Sequence, residues 1–313
     1  MQTMKAVRVH EYGGPEVLKY EEAPRPKPGP GEILVRIHAA GVNPVDWKVR
    51  AGYLKDVIAY PMPLIPGWDL SGVVEATGPN NRTRLNKGDE VYGHPNVVRN
   101  GTYAEYAVVP DSELALKPTS VDHVHAASIP IAALTAWQGL FDTGGLRTNQ
   151  KVLIHGGAGG VGSFAVQLAR WKGAHITATA SGGNQEFLRN LGADLTIDYE
   201  KSHFDRLVCD MDVVFDTIGG DTLKRSWKVL KKGGILVSTV ELPSAEEAAT
   251  HGVRAATFST QANPAQLAEI AKLVDSGMLR PIVEAVFPLS EARHAQELSQ
   301  TGHARGKIVL KVA

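Results

Sequence analysis

Lys151-Val152-Leu153-Ile154-His155-Gly156-Gly157-Ala158-Gly159-Gly160-Val161-Gly162-Ser163-Phe164-Ala165-Val166-Gln167-Leu168-Ala169 is the stretch on which the reading of this 313-residue chain turns. An apolar run leads straight into Gly-x-Gly-x-x-Gly, and a run with helical periodicity follows. The pattern predicts a buried strand, a tight turn and a helix. Gly157 is expected to permit the turn. Gly159, without a Cβ, lets backbone approach a pyrophosphate, and Gly162 lets the helix pack close to the strand. Ala158, Gly160 and Val161 complete the loop. The helix start offers unpaired N–H donors and the positive end of its dipole to phosphates. A flexible glycine linker is the plain alternative, but linkers lack such periodic neighbours.

Strands and helices alternate on both sides of this loop. Strands are predicted at Lys151–His155, Ile176–Ala180, Val213–Asp216, Ile235–Val240 and Val253–Phe258. Helices are predicted at Ser163–Trp171, Asn184–Leu191 and Leu223–Leu230, and upstream at Val124–Phe141 with an interruption at Pro130. Such alternation implies right-handed crossovers and a parallel sheet covered on both faces. The tip of the second strand separates two coenzymes, because an acidic residue there bonds a ribose 2′-hydroxyl. Here Ile176–Ala180 ends in Ser181-Gly182-Gly183-Asn184, with no carboxylate. Small donors accept a 2′-phosphate that Asp would repel, so NADPH is expected. No Arg or Lys stands at the tip and the nearest is Arg189, so the charge must come from elsewhere in the fold.

The first hundred or so residues have a different texture. Met4–His10, Ile33–Ala39 and Ser71–Ala76 are short strand-like runs rich in β-branched residues. Turn formers at Gly13-Gly14-Pro15, Pro24–Gly31 and Lys87-Gly88-Asp89 bracket them. This is the pattern of a small barrel or sandwich of antiparallel strands. The tail adds an amphipathic helix at Pro264–Ser276, a strand at Val283–Pro288, a helix at Ser290–Gln300 and a strand at Lys307–Val312.

Lys plus Arg is 33 and Asp plus Glu is 33, which argues against a nucleic-acid or anionic-membrane partner. No run of about 18 apolar residues exists, so no membrane span is expected. The single cysteine, Cys209, excludes an intramolecular disulfide and a Cys-rich zinc lobe. The start, Met1-Gln-Thr-Met-Lys-Ala-Val-Arg-Val, lacks a signal-peptide core, so a cytoplasmic protein is expected and the sequon Asn81-Arg82-Thr83 is read as silent. Gly-x-Ser-x-Gly, the phosphate loop Gly-x-x-x-x-Gly-Lys-[Ser/Thr] and His-Glu-x-x-His are all missing. His123-x-His125 has only Asp122 beside it and is read as capping or exposed histidines rather than a metal site.

An ordered set of motifs now stands out. It comprises Gly41-Val-Asn43-Pro-Val-Asp46-Trp-Lys48, Pro66-Gly67-Trp68-Asp69-Leu-Ser-Gly72, Lys87-Gly-Asp-Glu-Val-Tyr-Gly93 and Gly101-Thr-Tyr-Ala-Glu-Tyr106. Leu134-Thr135-Ala136-Trp137, the glycine loop and Gly306-Lys307-Ile-Val-Leu310 complete it. The whole chain resembles the medium-chain dehydrogenase/reductase superfamily, and within it the zinc-independent quinone oxidoreductases and alkenal/enone reductases. The resemblance implies an α/β fold: a doubly wound parallel-sheet (Rossmann) dinucleotide domain at 121–259, and a β-rich GroES-like substrate domain at 1–120 and 260–313, with a cleft between them. The zinc-dependent branch has a cysteine ligand where Asn43 stands and a His-Glu pair where Trp68-Asp69 stands. An amide and an indole are not zinc ligands, so no metal is expected.

Without a metal, the substrate must already be electrophilic. The expected function is therefore NADPH-dependent hydride transfer to a quinone or an α,β-unsaturated carbonyl. A non-catalytic NADPH-binding regulatory or structural protein on the same fold is the alternative. By its place in the motif, Asn43 is a polar group near the nicotinamide ribose or substrate, or else a turn former before Pro44. Lys48 is a candidate enolate-stabilising cation or a surface lysine, and Tyr53 a candidate proton donor or an edge phenol. The resemblance further assigns coenzyme contacts to Thr135, Ser181, Tyr199, Thr217, Ile218, Val240, Phe258 and Lys307, each with packing as the plain alternative. A homodimer is expected, with Val253–Phe258 as a possible edge strand.

Overall fold

The computed structural model describes residues 2–81 and 84–313. The sequon at Asn81-Arg82-Thr83 falls partly outside the described residues. The chain divides into two compact units, one taking residues up to Ile131 together with Gln261–Ala313, the other Ala132–Thr260.

The first unit opens with β1 (Thr3–Val9) and β2 (Leu18–Pro24), an antiparallel pair. Then come β3 (Glu32–Val42), α1 (Pro44–Arg50), β4 (Leu70–Thr77), β5 (Glu90–Gly93), β6 (Tyr106–Pro110), β7 (Leu114–Leu116) and α2 (His123–Ala127). In β3 the alternating Ile33, Val35 and Ile37 are fully buried while Arg36 faces out. They pack with Leu70, Val74, Val91, Val109 and Leu114 into one core. The boundary lies at 131, later than the expected 120. The reason is α2: Ser71 Oγ bonds His123 Nδ1 at 2.8 Å, and a Cβ on Gly41 of β3 would meet the Ala127 carbonyl at 2.4 Å.

The second unit begins within α3 (Pro130–Trp137), which continues as a wide helical turn over Gln138–Thr143. It proceeds through β8 (Lys151–Ile154), α4 (Gly160–Trp171), β9 (His175–Ala180), α5 (Gln185–Leu191) and β10 (Leu195–Asp198). β11 (Met211–Asp216), α6 (Gly220–Ser226), β12 (Leu230–Ser238), α7 (Ala245–His251) and β13 (Arg254–Thr257) complete it. The sheet order is β10-β9-β8-β11-β12-β13, with every pair parallel. Val152, Leu153 and Ile154 are all fully buried, as a strand covered on both faces requires. The order reverses between β8 and β11, where loops leaving their carboxyl ends part to opposite faces and leave a crevice.

The tail returns to the first unit as α8 (Pro264–Asp275), β14 (Val283–Pro288), α9 (Ala292–Gln300) and β15 (Lys307–Lys311). β15 pairs antiparallel with β3 and parallel with β14, giving the order β14-β15-β3-β4-β5-β7 with β6 also on β3. The Ile308–Val42 register sets the start of β15, with Lys307 next to Ile308, beside the end of β3.

Candidate coenzyme and polar sites

The glycine loop joins β8 to α4, a twelve-residue helix whose start no side chain caps. Its first N–H groups therefore have no helical partner. Gly156, not Gly157, makes the turn: its φ is +66°, a left-handed conformation that favours glycine. A Cβ there would also strike Thr217 Oγ1 at 2.6 Å. Gly157 instead permits close packing, since its Cβ would meet Leu188 Cδ2 at 2.9 Å and Ala178 Cβ at 3.1 Å. A Cβ on Gly162 would lie 2.1 Å from the Gly156 carbonyl, so that glycine seats the helix against the turn. Around Gly159 the nearest atom stands at 3.4 Å, and it is the loop's own Gly156 oxygen. The cradle is thus closed from behind and open at Gly159, as a diphosphate needs.

The loops after β11 and β12 are stitched together by buried Asp216. It accepts the N–H groups of Ile218 and Gly219 at 3.0 Å and the Ser238 hydroxyl at 2.9 Å. Thr217 Oγ1 donates to the His155 carbonyl at 2.8 Å, tying this loop to the cradle. Ile218 and Val240 are left exposed, at 53% and 47%. His155 sits fully buried below, with Nε2 on Ser226 Oγ at 3.0 Å and Nδ1 on Thr179 Oγ1 at 3.2 Å. Burial first, and then the Arg225 charge, pushes its pKa down to about 3, so the ring is a neutral strut.

The other expected contacts of this unit are placed as follows. Ser181 Oγ accepts from Asn184 Nδ2 at 3.0 Å, and Tyr199 N–H reaches the Ala180 carbonyl across the β9–β10 edge. Thr135 is buried, its hydroxyl paired with Thr260 Oγ1 at 2.7 Å. Phe258 is half-buried, and a Cβ on Gly139 would come within 3.1 Å of its ring. Thr135 and Phe258 thus have packing or hydroxyl partners within the unit.

In the first unit, α1 begins at Asn43, and the Asp46 carboxylate reaches back to the Asn43 N–H at 2.8 Å. Pro44 at the first helical position fits this start. Asn43 Nδ2 donates to Asp69 Oδ2 at 2.8 Å, and the Lys307 ammonium donates to Asn43 Oδ1 and to the Val42 carbonyl. That ammonium also stands 3.6 Å from Asp69 Oδ2. Asp69 Oδ1 accepts the Ile131 N–H, and Tyr103 donates to Asp46 Oδ2 at 2.8 Å. All five side chains are buried. Burial lowers the Lys307 pKa and raises that of Asp69, each being drawn back by the other's charge. Asp46 is pushed up to about 7, chiefly by burial, and its Oδ1 has no partner.

Lys48 and Tyr53 both lie around Trp47. The Lys48 ammonium is 5.7 Å from that indole, and the Tyr53 ring meets it edge-on at 5.9 Å. Tyr53 is 68% exposed. His123 and His125 turn to different partners: His123 stacks on His38, while His125 pairs with Asp122. Among the described residues no cluster of three or more His, Cys, Asp or Glu could hold a metal ion.

A parallel sheet of this order with a glycine cradle at its reversal point defines a dinucleotide-binding fold. Residues 29–119 match the family described as alcohol dehydrogenase GroES-like domain, and residues 191–310 that described as zinc-binding dehydrogenase. The chain is 37% identical to the 2-methylene-furan-3-one reductase of Solanum lycopersicum, over 98% of this chain and 79% of that one. It is 36% identical to the chloroplastic NADPH-dependent alkenal/one oxidoreductase of Arabidopsis thaliana, with the same coverage. The solved quinone oxidoreductase from Coxiella burnetii superposes with a TM-score of 0.92 at 36% identity, over all of both chains. The chain belongs to the medium-chain dehydrogenase/reductase superfamily, in its quinone oxidoreductase branch.

One family description names zinc, and the residues here do not fit that ion. Asn43 offers an amide already held by Asp69 and Lys307. Trp68 is wholly buried, with its indole N–H given to the Arg99 carbonyl. The carboxylate of Asp69 already faces an internal cation, Lys307.

Sequence reasoning missed several contributors. Gly156 stood inside the quoted loop, and Asp69 inside a quoted motif; neither was picked out as acting on the site. Tyr103 carries no local signal for its bond to Asp46, 57 positions earlier, and Asp216 none for its bond to Ser238, 22 positions on.

Proposed function

We propose that this chain is an NADPH-dependent reductase that delivers hydride to a quinone or an α,β-unsaturated carbonyl without a metal ion. The observation that carries the reading is the cradle at Gly156–Gly162, closed behind and free of side chains at Gly159. The relatives support it, since they are named as a 2-methylene-furan-3-one reductase, an NADPH-dependent alkenal/one oxidoreductase and a quinone oxidoreductase.

Backbone N–H groups at the uncapped start of α4 hold the diphosphate. Thr217, tied to the His155 carbonyl, and Ile218 and Val240, fixed by Asp216 and Ser238, are the residues of this unit that would hold the nicotinamide half, and the two exposed apolar chains exclude water there. Bound coenzyme supplies the hydride. Lys48, half-buried beside Trp47, is assigned the stabilisation of developing negative charge on the substrate oxygen, and Tyr53 the proton. Asn43 is assigned orientation, with both polar atoms already fixed. The proposal includes a cytoplasmic homodimer; its support is β13, which ends the sheet with one edge unpaired among the described residues.

The test mixes purified protein with NADPH and a panel of quinones and enones while coenzyme absorbance is followed. Turnover on members of either class, unchanged by chelator, is expected. Tight coenzyme binding with no turnover on any member would turn the reading to a non-enzymatic NADPH-binding protein.

A further inference from the structure

The tip of β9 has no basic residue of its own, and Arg189 on α5 is engaged elsewhere, donating to Thr196 Oγ1 at 3.2 Å. The neighbouring strand supplies what the tip lacks. β10 ends at Asp198, paired in register with Ala180, the last residue of β9. The chain turns back there: the N–H groups of Lys201 and Ser202 bond the Asp198 carbonyl, and Glu200 N–H bonds Asp198 Oδ1. This turn brings the Lys201 ammonium to 3.4 Å from Asp198 Oδ2. Both charges sit over Gly182, whose Cβ would stand 2.8 Å from the carboxylate and 3.8 Å from the ammonium. Asp198 is largely covered while Lys201 is largely exposed.

We propose that Lys201 is the specificity-determining cation for the coenzyme's 2′-phosphate, opposed by Asp198. The inference rests on the reading of this unit as a nicotinamide-coenzyme site. A carboxylate at the end of a neighbouring strand favours a ribose 2′-hydroxyl, which it can accept, and repels a phosphate. A lysine ammonium does the reverse, with three donors for phosphate oxygens. Ser181, in the same cluster, accepts from Asn184 and keeps its hydroxyl proton for an acceptor. Selectivity between the two coenzymes is therefore the balance of one adjacent ion pair, and removing each partner shifts it in opposite directions.

The experiment titrates NADPH and NADH separately onto the full chain, following protein fluorescence, for the wild type, Lys201→Ala, Lys201→Arg and Asp198→Asn. Lys201→Ala is expected to weaken NADPH roughly tenfold, and NADH by less than about twofold. Lys201→Arg keeps most of the NADPH affinity. Asp198→Asn retains the turn through its side-chain oxygen and moves the preference further toward NADPH. A merely structural role predicts equal losses for both coenzymes. An unchanged or equally reduced NADPH-to-NADH ratio in Lys201→Ala overturns the assignment. A wild type that binds neither coenzyme overturns the underlying reading instead, so the two failures are distinguishable.

Discussion

The ammonium of Lys307 donates to the side-chain oxygen of Asn43, a residue 264 positions earlier in the chain. Together with Asp69 it makes a charge pair closed inside the first unit. Breaking such a pair on one side leaves a buried charge uncompensated, typically at a cost of about 3–5 kcal/mol. Lys307→Met should therefore destabilise the first unit by about 3 kcal/mol in urea unfolding. Lys307→Met combined with Asp69→Asn should recover part of that loss, because neither charge then remains. Additive losses in the double variant would rule out coupling between the two.

How much of this was readable in advance depends on the range of the signal. The apolar run and glycines of Lys151–Ala169 specify β8 and α4 locally, and the spacing of Leu267, Ile270, Ala271 and Val274 predicts α8, whose buried face holds those four residues. The sequence leaves Asn43 open between a site group and a turn former before Pro44, yet Asn, Pro at the next position and Asp three residues on form the helix-start pattern that α1 adopts. β10, four residues long and without alternation, is too short for a periodic signal. Lys201 illustrates the remaining limit. Its nearness to Gly182 exists only because β10 pairs with β9, and no spacing in the sequence encodes that pairing.

His155 should make the second unit sensitive to acid. Its pKa is about 3 in the fold against an ordinary 6.5, so the unfolded chain binds one more proton between those values. Stability from this group is complete above pH 6.5 and is lost as pH falls toward 3, at about 1.4 kcal/mol per unit. Unfolding measured at pH 7.5, 5.5 and 4.5 should show a shallower loss in His155→Gln than in the wild type. Parallel curves would mean that the buried ring takes up a proton without unfolding.

Asp46 should act with the opposite sign. Its carboxyl titrates near 7 in the fold against an ordinary 3.8, so the folded state holds the extra proton between those values. Its contribution is greatest below pH 3.8 and declines as pH rises through 7. Asp46→Asn imitates the protonated acid, keeping an oxygen for the Asn43 N–H and the Tyr103 hydroxyl. Relative to the wild type, the variant should gain about 3 kcal/mol between pH 5 and pH 8. A constant difference across that range would show that Asp46 is ionised throughout.

Gly159 and Gly162 should separate binding from folding. At Gly162 an added methyl would sit 2.1 Å from the Gly156 carbonyl and 2.7 Å from the Gly157 Cα, both backbone atoms that cannot yield without moving the turn. Gly162→Ala should cost about 1–3 kcal/mol or more of stability, as overpacking does. At Gly159 the nearest atom is 3.4 Å away and φ is −76°, which any residue adopts. Gly159→Ala should therefore unfold at nearly the wild-type urea concentration. The same methyl projects into the space that the cradle leaves for the diphosphate, so NADPH affinity should fall by about tenfold or more, the equivalent of one lost charge-assisted hydrogen bond. If Gly159→Ala bound coenzyme like the wild type, the phosphates would have to lie elsewhere than against this loop. Loss of stability in Gly162→Ala together with loss of affinity in Gly159→Ala would assign the two glycines to the two tasks.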